Sequence, residues 1–228
     1  MKILALDTST EACSAALSIN GEISERFELA PRGHSQLILP MLNDLLREAG
    51  LALAQIDAVA FGCGPGSFTG LRIAAGVTQG IAFGADLPVI PVSSLAALAQ
   101  GAHRETGVAN ILAAIDARMG EVYWAAYQCT NGLMQLIGDE GVFAPDKVPV
   151  PESGMWHGIG SGWGAYGDAL QHRLSDILGT CHADRYPRAR DVALLAADKF
   201  SRGQTIGAEQ ALPVYLRNEV AWKKCKTA

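Results

Sequence analysis

The chain has 228 residues, of which 49% are hydrophobic and 18% charged, a composition typical of a globular protein with a sizeable core. Its net charge of −5 at pH 7 argues against a protein that holds a polyanion by itself. No apolar run reaches the ~18 residues that span a bilayer, and Met1 leads into a strand-like run without the features of a signal peptide. The sequence therefore predicts a cytoplasmic protein with no membrane attachment.

The beginning of the chain has a three-strand pattern that occurs again in its second half. Residues 3–7 read ILALD and residues 111–116 read ILAAID, each an apolar run closed by an aspartate. A second β-like stretch follows each run and reaches an Asn-Gly pair, Asn20-Gly21 or Asn131-Gly132, which is the strongest short signal for a hairpin. Third strands are predicted at 22–29 and 133–143, and helices follow each copy.

Two such units in tandem are the layout of the actin-like superfamily. The predicted fold class is therefore α/β, a duplicated actin-like (ribonuclease H-like) fold in which each lobe has a mixed sheet flanked by helices. We place the N-terminal lobe at 1–106 and the C-terminal lobe at 107–228. In such folds the first-strand acids face a shared nucleotide cleft, so Asp7 and Asp116 could hold a metal-bound nucleotide. A structural turn, with Arg118 paired to Asp116, is the favoured alternative, because neither acid is followed by the glycine usual in actin-like ATPases.

The stretch from Ser35 to about Ala49 is predicted to form a helix that is apolar almost all round. A surface helix normally has one apolar stripe and a polar face. Because this helix has more apolar surface than a single contact covers, we expect part of it to face another subunit. Its apolar residues are Leu37, Ile38, Leu39, Met41, Leu42, Leu45 and Leu46.

Residues 61–80, FGCGPGSFTGLRIAAGVTQG, look at first like a phosphate-binding loop that opens a helix. The predicted elements are a short buried strand at 56–63, a turn at 64–66 and a helix that Ser67 caps and that runs to about Gly84. The P-loop and dinucleotide motifs both fail, because no lysine occurs between Lys2 and Lys147 and the glycine spacing does not fit G-x-G-x-x-G. The loop alone does not predict a nucleotide site.

The helix after this loop has two rows of small residues. Gly76, Gly80 and Gly84 are spaced at i, i+4 and i+8, and the second row is Gly70, Ala74, Thr78 and Ala82. Each glycine inside a helix costs about 0.5–1 kcal/mol relative to alanine. Close approach of another backbone offsets that cost. The approaching backbone belongs either to the same domain or to another chain, and the sequence leaves both open.

Three other patterns in the sequence bear on function. Gly162 to Gly167 form a G-x-G-x-x-G after a plausible strand, but the only acid at a suitable distance, Asp184, is in a loop-like segment, so a strand-to-helix turn is favoured over a nicotinamide site. The five cysteines and five histidines have no metal-site or disulfide spacing. The end from Arg217 to Lys226 has four basic residues and one acid, which predicts a solvated tail or, alternatively, a contact with RNA phosphates or an acidic partner.

Several stretches together resemble the bacterial TsaB family: MKILALDTSTEACSAAL, RGHSQLILPMLNDLL, CGPGSFTGLRIAAGVTQGIAF, ILAAIDARMGEVYWA and LPVYLRNEVAWKK. The combination of GPGSFTGLR with the closing PVYLRNEVA is specific, and the resemblance covers essentially the whole chain. It implies a two-lobed actin-like fold. It also implies a non-catalytic partner subunit in the synthesis of N6-threonylcarbamoyladenosine at position 37 of tRNA.

The resemblance further implies the partners. These are the catalytic relative TsaD, which transfers the threonylcarbamoyl group, and the ATPase TsaE; tRNA is expected to bind only through the complex, and the isolated chain to form a homodimer. The histidine pair that holds the metal of TsaD corresponds here to Ser94 and Leu98. Neither metal nor cofactor is therefore expected, and a nucleotide at a subunit junction is left open.

In the family, the helix after the glycine loop and the helix before it form the dimer surface, with a second copy or with TsaD. The rival functions are an actin-like ATP-dependent phosphotransferase or kinase, a metallohydrolase and a stand-alone tRNA-binding module. The residues expected at the subunit interface are Leu37, Met41, Leu42, Leu45, Ser67, Phe68, Leu71, Ala75, Gly76, Gly80 and Gly84.

Overall fold

The computed structural model describes residues 1–217, so the predicted basic end lies outside the described residues except for Arg217. The strands in chain order are β1 (Lys2–Asp7), β2 (Ala12–Ile19), β3 (Glu22–Leu29), β4 (Ala58–Gly64), β5 (Val89–Ser93), β6 (Asn110–Arg118), β7 (Glu121–Thr130), β8 (Leu133–Phe143), β9 (Trp156–Ile159) and β10 (Leu178–His182). The α-helices are α1 (His34–Glu48), α2 (Phe68–Ala85), α3 (Ser94–Thr106), α4 (Ser161–Leu174) and α5 (Ala189–Ser201).

The first sheet has the strand order β3-β2-β1-β4-β5. β1, β2 and β3 pair in antiparallel fashion, whereas β4 runs parallel to β1 and β5 parallel to β4. Asn20 (φ 53°) and Gly21 (φ 94°) make the turn between β2 and β3 with the positive φ angles that a two-residue hairpin requires. Every residue of β4 is buried, as expected for a central parallel strand covered on both faces.

The second sheet repeats this arrangement, with the strand order β10-β9-β6-β7-β8. β6, β7 and β8 again pair in antiparallel fashion, and β9 and β10 continue the sheet in parallel. The turn between β7 and β8 is made by Asn131 (φ 53°) and Gly132 (φ 79°). The predicted duplication and the α/β fold class are confirmed.

Helices lie outside and between the two sheets. α1 and α2 cover the outer face of the first sheet, α4 covers the outer face of the second, and α3 and α5 lie between them. α5 comes from the second half of the chain but packs on the first sheet, where the backbone N–H of Ala189 donates to Ser14 Oγ at 2.9 Å. Arg104 of α3 is joined to the buried Asp191 of α5 by two hydrogen bonds of 2.9 and 3.0 Å. The lobe boundary at 106/107 follows α3 and stays a prediction.

Candidate partner-binding face and hairpin cleft

The glycine loop is packed against the turn that follows β1. A Cβ at Gly70 would overlap the carbonyl oxygen of Thr8, and one at Gly66 would overlap that of Ser9. The N–H of Ser67 donates to the Ser9 carbonyl at 2.7 Å, and Thr8 Oγ1 donates to the Gly70 carbonyl at the same distance. These glycines therefore permit a backbone contact within the chain. Ser67 caps α2 as predicted.

Asp7 is fully buried beneath this turn. Its Oδ1 accepts hydrogen bonds from the N–H and the Oγ–H of Ser9, at 2.9 and 2.8 Å. Its Oδ2 has no hydrogen-bond partner and lies where a Cβ at Gly62 would be. Burial raises the pKa of the Asp7 carboxyl to about 6, against the hydrogen bonds from Ser9, which lower it. This geometry fits an acid that holds a turn, the favoured sequence alternative, and leaves no open side for a cation.

The other row of glycines in α2 has no neighbour that explains it. Gly76, Gly80 and Gly84 are exposed, and beyond the adjacent backbone of α2 itself a Cβ at any of them would meet no atom of residues 1–217 within 4 Å. The buried row, by contrast, packs inside, with Ala74 and Ala82 in the core against the first sheet. The sequence left open whether the approaching backbone belongs to the same domain or to another chain, and the two rows differ in this respect. The buried row contacts other parts of the same chain, whereas the exposed row makes no such contact among residues 1–217.

Bulky side chains lie at both ends of the exposed glycine row. Phe83 is 85% exposed and Phe68 56% exposed. The guanidinium of Arg72 lies 3.9 Å above the Phe68 ring, and its Nε donates to Tyr215 Oη at 3.2 Å. We call the set Phe68, Arg72, Gly76, Gly80, Phe83 and Gly84 the glycine face. It is a continuous exposed surface of α2, flat in the middle and aromatic at its ends.

The structure corrects the interface prediction for several residues. Their side chains are already packed in the core of the chain, because α1 and α2 lie directly on the first sheet. Leu37 is half-buried, and Leu39, which was not among the predicted interface residues, is 52% exposed. The apolar excess of α1 is thus largely used within the chain. The five buried residues are Met41, Leu42, Leu45, Leu71 and Ala75.

A cleft of about 1060 Å³ lies between the turn after β1 and the turn after β6, which we call the hairpin cleft. Asp116, on the second turn, accepts from Arg118 Nη1 at 2.8 Å and from Tyr166 Oη at 3.1 Å. Nη2 of Arg118 reaches across to Glu11 at 3.3 Å. The predicted pairing of Arg118 with Asp116 is therefore present, and Arg118 in addition joins the two turns.

The N-termini of two long helices also line the hairpin cleft. Gly66, Ser67 and Phe68 at the start of α2 and Ser161 at the start of α4 are part of its wall. The residues 162–167 form the first turns of α4, and Gly162 is packed closely on Ala114. This position supports the predicted strand-to-helix turn rather than a nicotinamide site.

The positions that the resemblance relates to metal ligands do not fit a metal. Ser94 and Leu98 are both buried at the beginning of α3, and Leu98 packs in the apolar core against the second sheet. A leucine has no donor atom, and a lone serine hydroxyl is a poor ligand for the metals that imidazole binds. Within residues 1–217, no cluster of three or more His, Cys, Asp or Glu side chains could hold a metal ion. None of the helices in the described part of the chain is long and apolar enough to cross a membrane.

Sequence reasoning missed several residues of the cleft. Glu11, Arg32, Tyr123, Tyr186 and Tyr215 are in separate segments, and only the fold brings them to one wall. Arg32 did carry a weak signal, since it precedes a glycine in a Pro-Arg-Gly turn, and it adopts a left-handed φ of 70°.

The chain is similar to known proteins along its full length. A family model described as "TsaD: tRNA N6-adenosine threonylcarbamoyltransferase" matches residues 27–225. The "tRNA threonylcarbamoyladenosine biosynthesis protein TsaB" of Escherichia coli (strain K12) is 48% identical, with 98% of each chain covered. The protein of the same name from Haemophilus influenzae is 44% identical over 98% of this chain and 97% of its own length. The solved structure of YeaZ from Pseudomonas aeruginosa has a TM-score of 0.89 and 51% identity, and the match covers 94% of this chain and 99% of that one. The chain therefore belongs to the TsaB family, within the wider group that the TsaD family model describes.

Proposed function

We propose that this chain is a non-catalytic partner subunit in the synthesis of N6-threonylcarbamoyladenosine in tRNA, and that it binds a TsaD-like catalytic subunit through the glycine face. The observation that carries the proposal is the exposed row Gly76, Gly80 and Gly84, which has no neighbour within 4 Å. The names of its relatives place them in this biosynthesis. The glycine face supplies a physical reason for a partner.

The shape of the face fits a second helix laid against α2. Without side chains at Gly76 and Gly80, two helix backbones approach closely, and the contact offsets the helix-propensity cost of about 0.5–1 kcal/mol per glycine. Phe68 and Phe83 flank the flat region and supply the large aromatic anchors that dominate many interfaces. Because a TsaD family model matches most of this chain, a TsaD-like partner has a corresponding helix to offer. A second copy of this chain offers the same surface, so the isolated subunit forms a homodimer through it.

The proposal that this subunit is not catalytic is supported by the side chains at two sites. Ser94 and Leu98 occupy the positions of the metal ligands in the catalytic relative and cannot replace imidazoles. Asp116 is held by Arg118 and Tyr166, so no open carboxylate is presented for a metal-bound nucleotide. The subunit works without a cofactor of its own, and the partner supplies the reaction. No observation favours the kinase or the metallohydrolase alternative.

Reconstitution tests the proposal. A TsaD-like subunit and a TsaE-like ATPase are mixed with tRNA, threonine, bicarbonate, ATP and the enzyme that forms the threonylcarbamoyl adenylate, with or without this chain, and modified adenosine is measured. We expect modification to require this chain and to saturate near one copy per TsaD-like subunit. Modification that proceeds equally without it, or formation of the product by this chain without the TsaD-like subunit, would overturn the proposal.

A further inference from the structure

The hairpin cleft has an unusual charge arrangement for a cavity between two acid-bearing turns. Both carboxylates that line it are engaged, since Glu11 and Asp116 each accept from the same Arg118. Asp7 lies buried behind the wall with its Oδ1 bound to Ser9. A magnesium-bound nucleotide needs a carboxylate that is free to coordinate the ion. The described residues of the cleft present none, so the arrangement disfavours that ligand.

One arginine of the cleft has no ion-pair partner among residues 1–217. Arg32, Arg118 and Arg217 line the cleft, although the whole chain has a net charge of −5. Arg118 is paired with Glu11 and Asp116, and Arg217 is paired with Glu121. Arg32 is exposed, and none of the ion pairs among residues 1–217 involves it. Its φ of 70° is a strained conformation for a residue with a Cβ. The N-termini of α2 and α4 add partial positive charge to the same wall. The cleft therefore favours an anion over a cation.

Three tyrosine rings share the cleft with these arginines, Tyr123, Tyr186 and Tyr215. Phe68 lies at its edge and belongs to the glycine face. Phe68 and Tyr215 are 56% and 42% exposed, and their ring centroids are 5.6 Å apart. Aromatic rings beside a guanidinium group without an ion-pair partner, here Arg32, are a combination that binds unstacked nucleobases and their phosphates.

We infer that the hairpin cleft binds a short single-stranded RNA segment, with a phosphate at Arg32 and bases against the tyrosine rings; this inference rests on the proposed function. A volume of about 1060 Å³ lies slightly above the range of about 300–1,000 Å³ for pockets that hold small ligands, which leaves room for a short segment. The negative net charge of the chain means that this contact adds to RNA binding by the complex rather than acting alone.

The reconstituted complex tests the inference through the variants Arg32→Ala and Tyr186→Leu. Arg202→Ala is the matched control, because Arg202 is also exposed but lies at the end of α5 outside the cleft. We expect each cleft variant to raise KM for tRNA about 5- to 20-fold at physiological salt with kcat within about twofold, consistent with a lost phosphate contact or stacking platform. The control should change KM by less than twofold. Equal KM values for cleft and control variants would overturn the inference.

Photo-crosslinking supplies the second measurement. A tRNA anticodon stem-loop that carries 4-thiouridine in its loop is irradiated with the complete complex, and crosslinked peptides are identified by mass spectrometry. Crosslinks to peptides that contain Arg32, Tyr123 or Tyr186 support the inference, and crosslinks confined to other surfaces or other subunits contradict it. Competition by free AMP at micromolar concentration would also contradict it, since that would indicate a mononucleotide site. Failure of the proposed function gives a different result from failure of this inference, because the other subunits would then modify tRNA when this chain is left out.

Discussion

Replacing Gly76 and Gly80 with alanine should stabilise the fold of the isolated chain and weaken its binding to the TsaD-like subunit. Beyond the adjacent backbone of α2, a Cβ at either position meets no atom of residues 1–217 within 4 Å, so alanine adds no strain to the free chain. Removing a glycine from a helix interior is worth about 0.5–1 kcal/mol. The double variant should therefore gain roughly 1–2 kcal/mol in the free energy of unfolding, or ~2–8 °C in Tm for a chain of this size.

The same methyl groups should obstruct a helix that is packed on the glycine face. Overpacking a close contact costs about 1–3 kcal/mol, which corresponds to roughly a 5- to 150-fold increase in Kd. Gly80→Leu should weaken association further while leaving the fold intact. Ala169→Leu is the control, because Ala169 is exposed on α4, at the opposite outer layer of the molecule.

Two assays separate the effects. Urea unfolding at a concentration where the chain is monomeric gives the stability, and calorimetric titration with the TsaD-like subunit gives the Kd. Loss of stability in the monomer would mean that the exposed glycines are needed inside the chain. Gain of stability with unchanged Kd would mean that another surface binds the partner. Either result would refute the reasoning.

Three further changes test the packing described above. Gly70→Ala should lower the free energy of unfolding by more than about 2 kcal/mol, because its Cβ would overlap the Thr8 carbonyl. Substitution of this glycine of α2 should therefore destabilise the chain, whereas substitution of Gly76 or Gly80 should stabilise it. Asp7 has a folded pKa of about 6 against about 4 unfolded, so the folded state binds this proton more tightly and stability falls as pH rises between those values. Asp7→Asn should remove this decrease in the free energy of unfolding, which amounts to up to about 3 kcal/mol. Urea unfolding between about pH 4 and 7 measures it, and the same pH profile in the variant would contradict the raised pKa of Asp7. Arg104→Ala should cost about 3 kcal/mol, because it leaves the Asp191 carboxylate buried without its partner, and Arg104→Lys should restore only part of it; thermal unfolding measures both.

Much of the fold could be predicted from local signals. The two Asn-Gly pairs mark the hairpins, and Ser67 caps α2 where the sequence places it. These features depend on a few adjacent residues whose backbone preferences are strong. The packing of α5 on the first sheet could not be predicted, because it joins Ala189 to Ser14 across most of the chain and no local pattern encodes it.

The candidate sites were predictable to different degrees. The exposed glycine row follows from spacing, because residues four apart share a helix face. Which apolar residues of α1 are buried did not follow, since its pattern is apolar almost all round and Leu42 and Leu39 differ only in where the sheet lies. A cleft between the two acid-bearing hairpins was expected from the fold class, but most of its lining was missed, because Arg32, Tyr123 and Tyr186 meet only in the folded chain.

Hydrogen exchange with mass spectrometry tests the central claim most directly. The chain is labelled alone, as a monomer, and after saturation with the TsaD-like subunit, and the exchange of each peptide is compared. The account predicts slower exchange in peptides from 66 to 87, which contain the glycine face, and no change in peptides from 161 to 174 in α4. Protection of α4 with unaltered exchange in α2 would contradict it.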